Sequence, residues 1–180
     1  MAELHPTSYN ALRAAFLRED ARAHSHLLAR AVRAGADPVG AMRAHVLGDD
    51  WLDFALAGLR AHFEQAQGSV YLMNGPAHAG LVKLGKTQRD PFARLRSLNS
   101  AAVLLPLKLL AAWPVHDCHW VEAECHRDLG RQGVARAKEF FDALPEDLAA
   151  VVERVVSEDR ARFEAVGLGS ALPSAQRLPG

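Results

Sequence analysis

"GLVKLGKT", residues 80–87, fits the phosphate-loop pattern G-x-x-x-x-G-K-[ST] letter for letter, and the fold turns on how it is read. A phosphate loop needs a strand before it, glycine-rich backbone inside it, and a helix opening at its Gly-Lys-Thr. Here the interior residues are Leu81, Val82, Lys83 and Leu84, whose side chains favour an extended strand over a loop of exposed amides. The next helix start is displaced to Asp90-Pro91, an N-cap followed by proline at the first helical position. An acidic strand end for magnesium is also poorly provided, since Pro114 interrupts the run before Asp117. The stretch reads as a strand ending in Gly-Lys-Thr.

Its neighbours extend that reading. "SVYLMN" (69–74) is a short β-favouring run, and the turn-rich residues 75–80 join it to "LVKLGKT" as a hairpin with a six-residue loop. "PFARLRSLNSA" follows as a helix with Phe92, Leu95, Leu98 and Ala102 on its apolar stripe. "PLKLLAAWPV" is a third strand, and "DCHWVEAECHRDLG" a helix closed by Gly130. "LPEDLAAVVERVVSEDRARFEAV" is a long amphipathic helix, and the residues after it read as a tail. Upstream, "YNALRAAFLREDARAHSHLLARAVRAGADP" reads as one helix, stopped by Gly35, with a restart at Asp37-Pro38. "GDDWLDFALAGLRAHFEQAQ" is a further helix offering Trp51, Phe54, Leu56 and Leu59 for burial. The expected organisation is a helical region over 1–67, an α+β domain of β-β-α-β-α order with a three-stranded sheet over 68–145, a C-terminal helix packing on it over 146–168, and a flexible tail over 169–180.

Composition sets the class. With 49% hydrophobic and 23% charged residues in 180, the chain is an ordinary globular one. No apolar run approaches the roughly 20 residues of a membrane-spanning helix, and the start lacks the basic and apolar regions of a signal peptide. Cys118 and Cys125 cannot make a disulfide scaffold, so the expected setting is the cytoplasm, with no membrane partner. Formal net charge is zero, which alone argues against a nucleic-acid binder. The distribution differs from the average: residues 1–67 carry 7 Lys/Arg against 8 Asp/Glu, residues 68–111 carry 6 against 1, and residues 112–180 carry 8 against 12. The basic middle contains the hairpin.

Ser69-Val70-Tyr71 and Lys83-Leu84-Gly85, with Thr87 two residues on, resemble the paired hairpin motifs of the GIY-YIG nucleases. Lysine replaces the second tyrosine, as in a phage and bacterial branch whose second motif ordinarily reads Lys-Ile-Gly. "DPFARLRSLNSA" resembles that branch's arginine-bearing helix, "VEAECH" its Glu-x-x-x-His helix, and "KEFF" its Glu-aromatic-Phe ending. The resemblance covers residues 68–145 and leaves residues 1–67 unaddressed.

The resemblance implies metal-dependent endonuclease chemistry on DNA, with RNA also open, using Mg²⁺ or Mn²⁺. Carried over position by position, it makes Tyr71 the residue that activates or orients water, and Arg94 the phosphate contact. The resemblance places the metal ligand on the helix after the third strand, which favours Glu122, with Glu139 a second ligand or the true one, and His126, beside Glu122 on one helical face, is a further catalytic residue. Lys83 shares a strand face with Leu81 and Gly85, and assists Tyr71 if the hairpin register joins their faces. Lys86, Thr87, Arg89 and Arg96 are the expected nucleic-acid contacts. The plain alternatives are a core tyrosine, a solvated lysine, surface arginines and surface glutamates. A local rival is zinc at His119, Glu122 and His126, which share a face, although no C-x2-C pair accompanies them. The alternative function is a nucleic-acid-binding or protein-interaction module that keeps the fold without cleaving. The first 67 residues, at net −1, suit dimerisation or a protein partner better than DNA.

Overall fold

Asp20 accepts a hydrogen bond of 2.9 Å from the backbone N–H of Ala23, and so opens a new helix inside a stretch whose composition suggested one continuous helix. Glu19 just before it has φ 54°, a left-handed turn that no helix interior accommodates. The computed structural model describes residues 6–34, 36, 49–78, 80–99, 104–165 and 176–177. The first helices are α1 (Pro6–Leu17), α2 (Ala21–Arg33) and α3 (Asp49–Glu64). Gly35, the restart at Asp37-Pro38, Ala102 and most of the 169–180 stretch lie outside the described residues.

The chain divides into two compact units, residues 1–65 with 161–170, and residues 66–160 with 171–180. In the first, Leu12, Leu28, Val32, Trp51 and Leu59 are buried. The Trp51 indole Nε1 donates to Nε2 of buried His24 at 2.8 Å, and burial pushes the His24 pKa down to about 4. That histidine is a neutral acceptor.

The second unit is built on β1 (Gly68–Asn74), β2 (Leu81–Thr87), α4 (Pro91–Leu98), β3 (Lys108–Val115), α5 (Cys118–Arg131), β4 (Arg136–Ala137), β5 (Phe140–Asp142), α6 (Pro145–Ala165) and β6 (Gln176–Arg177). The sheet order is β4-β5-β2-β1-β3-β6, and every pairing is antiparallel. The α+β class and its flanking helices are as expected, but the three-stranded sheet is not. Three long strands form its centre, and short strands extend both sides. Those strands span only two or three residues, too few for alternation to register in a sequence. Gln176–Arg177, within the stretch read as a tail, pairs with Ala111 and Ala112. Pro114 lies inside β3 opposite Ser69 of β1, and among the described residues β6 pairs only with Ala111 and Ala112.

Period-two alternation gives the sheet two unequal faces. One face carries Val70, Leu72, Val82, Leu84, Ala111, Trp113 and Val115, and α5 and α6 bury it with Val121, Cys125, Leu129, Val152 and Val155. The other is a small cluster of Tyr71, Met73, Leu109 and Ala112, covered by Leu95 and Leu98 of α4. Asp90 caps α4 by accepting from Ala93 N–H at 2.7 Å, and the Asn99 amide ends it by bonding both backbone groups of Leu107 at 2.7 and 2.8 Å. Two local expectations are corrected. Phe92 is exposed, because a helix of eight residues presents only Leu95 and Leu98 to the sheet. Gly130 lies inside α5, which ends at Arg131, is capped by Gln132 and turns through Gly133 at φ 73°. No helix among the described residues is long and apolar enough to cross a membrane.

Candidate functional site

The hairpin register sets the site. Tyr71 pairs with Gly85 and Met73 with Lys83, so Tyr71, Lys83, Gly85 and Thr87 share one face of the sheet. The Tyr71 ring crosses β2 at Gly85, where a β-carbon would meet its hydroxyl at 2.7 Å and its ring at 2.9 Å. Only glycine leaves that space, and the hydroxyl therefore lies over β2 between the positions of Lys83 and Thr87. Tyr71 is also a core residue, 1% exposed.

Lys83 is 6% exposed, an unusual state for an ammonium that calls for a charged partner. It has one. Its Nζ bonds Oε2 of the half-exposed Glu139, which follows the β4–β5 turn through Lys138 at φ 58°. The Glu139 carbonyl accepts from Leu84 N–H at 3.0 Å, which fixes the carboxylate at the edge of β2 just past the last β5 pair. Partial burial pushes the Glu139 carboxyl upward, but the Lys83 hydrogen bond and charge, with His126 and Arg94, hold it below the usual carboxylate range. Arg94, half-buried on α4, is thus within electrostatic range of Glu139, whereas Arg96 is exposed.

Lys86 alternates to the other face, and its Nζ bonds Oε2 of Glu122 on α5. Glu122 and Glu139 are therefore held by different lysines on opposite faces of one strand. His126 registers both carboxylates; burial first, then Arg136, push its pKa down, with Glu122, the Leu84 backbone and Glu139 opposing. The register puts Tyr71 and Lys83 on one face, where Glu139 is bonded to Lys83 and lies within electrostatic range of Arg94, and leaves Glu122 with Lys86 behind the sheet edge. Thr87 is buried, and its hydroxyl accepts from Arg89 N–H at 3.0 Å, a turn-forming bond. Arg89 is exposed.

The rival constellation on α5 does not assemble. His119 is exposed, Glu122 is engaged by Lys86, and no group of three or more His, Cys, Asp or Glu side chains among the described residues is placed to hold a metal ion. Cys118 and Cys125 are buried, and burial pushes their thiols up to about 11 and 12. A single carboxylate with bound waters remains a sufficient donor set for Mg²⁺ or Mn²⁺. Half-exposed Glu139 fits it best, and Glu122 is a second candidate.

Sequence reading passed over one feature. Phe140, quoted only as part of "KEFF", stacks on His78 with ring centroids 4.1 Å apart and planes 9° apart. Lys83 Nζ lies 5.5 Å from the Phe140 centroid. The aromatic beside Glu139 was the available signal; nothing in the loop sequence singled out His78.

A β-hairpin that carries Tyr71 and Lys83 on one face, with Glu139 bonded to Lys83, sits at the centre of a small α+β domain. Residues 68–156 match the family model of the T5orf172 domain, a GIY-YIG-like, nuclease-associated fold. Curated proteins and solved structures give no match.

Proposed function

We propose that residues 68–156 form a metal-dependent endonuclease domain of the GIY-YIG superfamily, on the branch whose second motif begins with lysine, hydrolysing phosphodiester bonds in DNA. The observation that supports this reading is the Lys83–Glu139 ion pair beside the face where Tyr71 crosses Gly85, with Arg94 of α4 within electrostatic range of Glu139. Diester hydrolysis requires an aimed, deprotonated water and neutralisation of the charge on the five-coordinate phosphate. The Arg94 guanidinium, always protonated, supplies that charge from α4. The Tyr71 hydroxyl orients water over Gly85, and the Lys83 ammonium keeps Glu139 ionised. Glu139, with Glu122 as second candidate, holds Mg²⁺ or Mn²⁺. When bound, the ion acts as a Lewis acid and makes a water more acidic. His126, its pKa lowered by burial, offers a neutral imidazole close to both carboxylates. Exposed Arg89 and Arg96, with Lys86, position the DNA backbone, and Thr87 shapes the turn that presents Arg89. The protein would work in the cytoplasm, with the N-terminal helices serving dimerisation or a protein partner.

A second reading is a module that binds nucleic acid without cutting it. One observation favours it: Lys83 and Lys86 each already engage a candidate metal carboxylate. Supercoiled plasmid with Mg²⁺ or Mn²⁺ separates the two. Nicking that disappears in Tyr71→Phe, Arg94→Ala and Glu139→Gln supports the enzyme. Salt-sensitive binding with no nicking in either metal rejects it.

A further inference from the structure

Beside the candidate active edge, the loop between β1 and β2 and the start of α6 enclose a cavity of about 380 Å³. Its walls include Leu81, Leu144 and His78, with Asn74 and Lys108 as polar members, and no carboxylate lines it among the described residues. Leu144 is 65% exposed, so the apolar wall is open to solvent. His78 belongs both to this cavity and to the parallel stack on Phe140, which pairs directly opposite Lys83. Leu81 is two residues from Lys83 on the same strand face, roughly 7 Å along β2. The His78 Nδ1 is buried with no hydrogen-bond partner among the described residues.

We propose that this cavity binds one nucleobase of the DNA strand, unstacked from its neighbours and laid on His78, so that base, His78 and Phe140 form a continuous stack ending at Lys83. The proposal rests on the DNA-cleaving reading above and adds to it a subsite for the base next to the reacting phosphate. Three observations select a nucleotide over an aliphatic side chain. The aromatic wall is flat and already stacked, which suits another flat ring. The charged residue of the cavity lining among the described residues, Lys108, is a cation, and Lys83 at the end of the stack is a second, shared with Glu139; both suit phosphates on either side of the base. The buried His78 Nδ1, without a hydrogen-bond partner among the described residues, carries a free-energy cost that a sugar or phosphate oxygen reaching it in the ring plane would relieve. A base in this position also tethers the strand close to Arg94 and Glu139 without reading a duplex groove. Single-stranded or frayed DNA is therefore the preferred form, because unstacking costs least there.

The test uses the full chain and a single-stranded oligonucleotide, in chelator so that nothing is cut, with one abasic nucleotide moved stepwise through the sequence. Wild type should lose about tenfold in affinity when the abasic site falls at one or two adjacent positions, the size of a lost base–aromatic stack. His78→Ala should weaken binding of the intact oligonucleotide by about as much and flatten the scan. His78→Phe, which keeps a ring in place, should restore the positional dependence. Matching thermal midpoints for the three proteins exclude a folding defect. A flat scan in wild-type protein that binds the oligonucleotide overturns the base pocket and leaves the nuclease reading standing. Failure of wild type to bind any oligonucleotide overturns both.

Discussion

The Tyr71 hydroxyl lies 2.7 Å from where a β-carbon on Gly85 would stand, with the tyrosine ring at 2.9 Å. The closeness is cross-strand, since the two residues are paired partners in β1 and β2. Gly85 is thus held by space and not by backbone conformation. Gly85→Ala should push Tyr71 out of its cluster with Met73, Leu109 and Ala112, at a cost of about 1–3 kcal/mol, the usual range for overpacking. Chemical denaturation measures that cost. Plasmid nicking should fall further than stability alone explains, because the hydroxyl leaves its place over β2. A variant with wild-type stability and wild-type nicking would show that Tyr71 needs no such contact.

α4 carries Arg94 and covers the tyrosine face, yet it has only eight residues and no fully buried side chain. Its position depends on its ends. Asp90→Ala removes the 2.7 Å bond to Ala93 N–H and should cost about 1 kcal/mol. The larger effect should be on DNA, with Arg94 less well held and nicking reduced at a temperature where the domain remains folded. Asp90→Asn, which keeps a capping oxygen, should recover most of both losses. Equal damage from the Ala and Asn variants would count against capping as the cause.

His24 makes the first unit sensitive to acid. Its folded pKa, about 4, lies below the ordinary 6.5, so the unfolded chain binds the proton more readily. The contribution is therefore fully present above pH 6.5 and is lost as pH falls towards 4. Protonation also removes the Nε2 lone pair that accepts from Trp51. Between neutral pH and about pH 4.5 the loss should be about 2 kcal/mol. Denaturation followed by tryptophan fluorescence reads it directly, and His24→Gln should be less stable at neutral pH but largely free of this pH dependence. A wild-type protein equally stable at both pH values would remove His24 from consideration.

The central hairpin was legible because it carries three independent signals: β-favouring interiors in "SVYL" and "LVKLG", a turn-rich gap between them, and a capped helix too late for a phosphate loop. The outer strands were not legible, since Arg136–Ala137 and Phe140–Asp142 are too short to show a period and exist only through pairing, Phe140–Asp142 to β2 and Arg136–Ala137 to Phe140–Phe141 in turn. The break at Asp20 was hidden by a helix-favouring composition on both sides of it, although Asp is a frequent N-cap. For the site, sequence placed Tyr71 and Lys83 on definite strand faces but not on the same one, because register depends on the loop. It also favoured Glu122 over Glu139. Distance along the chain conceals that the Glu139 carbonyl bonds Leu84 N–H and draws its carboxylate to Lys83.

That pairing gives the site its own pH signature. Burial raises the Glu139 carboxyl, and Lys83 is the chief opposing influence that brings the net shift below the ordinary value of 4.5. With a depressed folded pKa, the ion pair's stabilisation is present above that value and is lost as pH falls through the folded pKa; at a half-exposed carboxylate it is small. The effect on metal binding should be larger, because only the ionised carboxylate is a ligand. In Lys83→Met, burial acts with only His126 and Arg94 against it, so Glu139 should titrate at higher pH than in wild type. Carboxyl-detected NMR between about pH 3 and pH 8 measures the shift. The acid limb of metal-dependent nicking should move in the same direction wherever residual activity permits its measurement. Glu122→Gln should leave the Glu139 titration almost unmoved, since Glu122 is paired to Lys86 on the opposite strand face. If the Glu139 titration stays put in Lys83→Met, the lysine is a packing element of the sheet, and the assignment of Glu139 as the site's carboxylate fails with it.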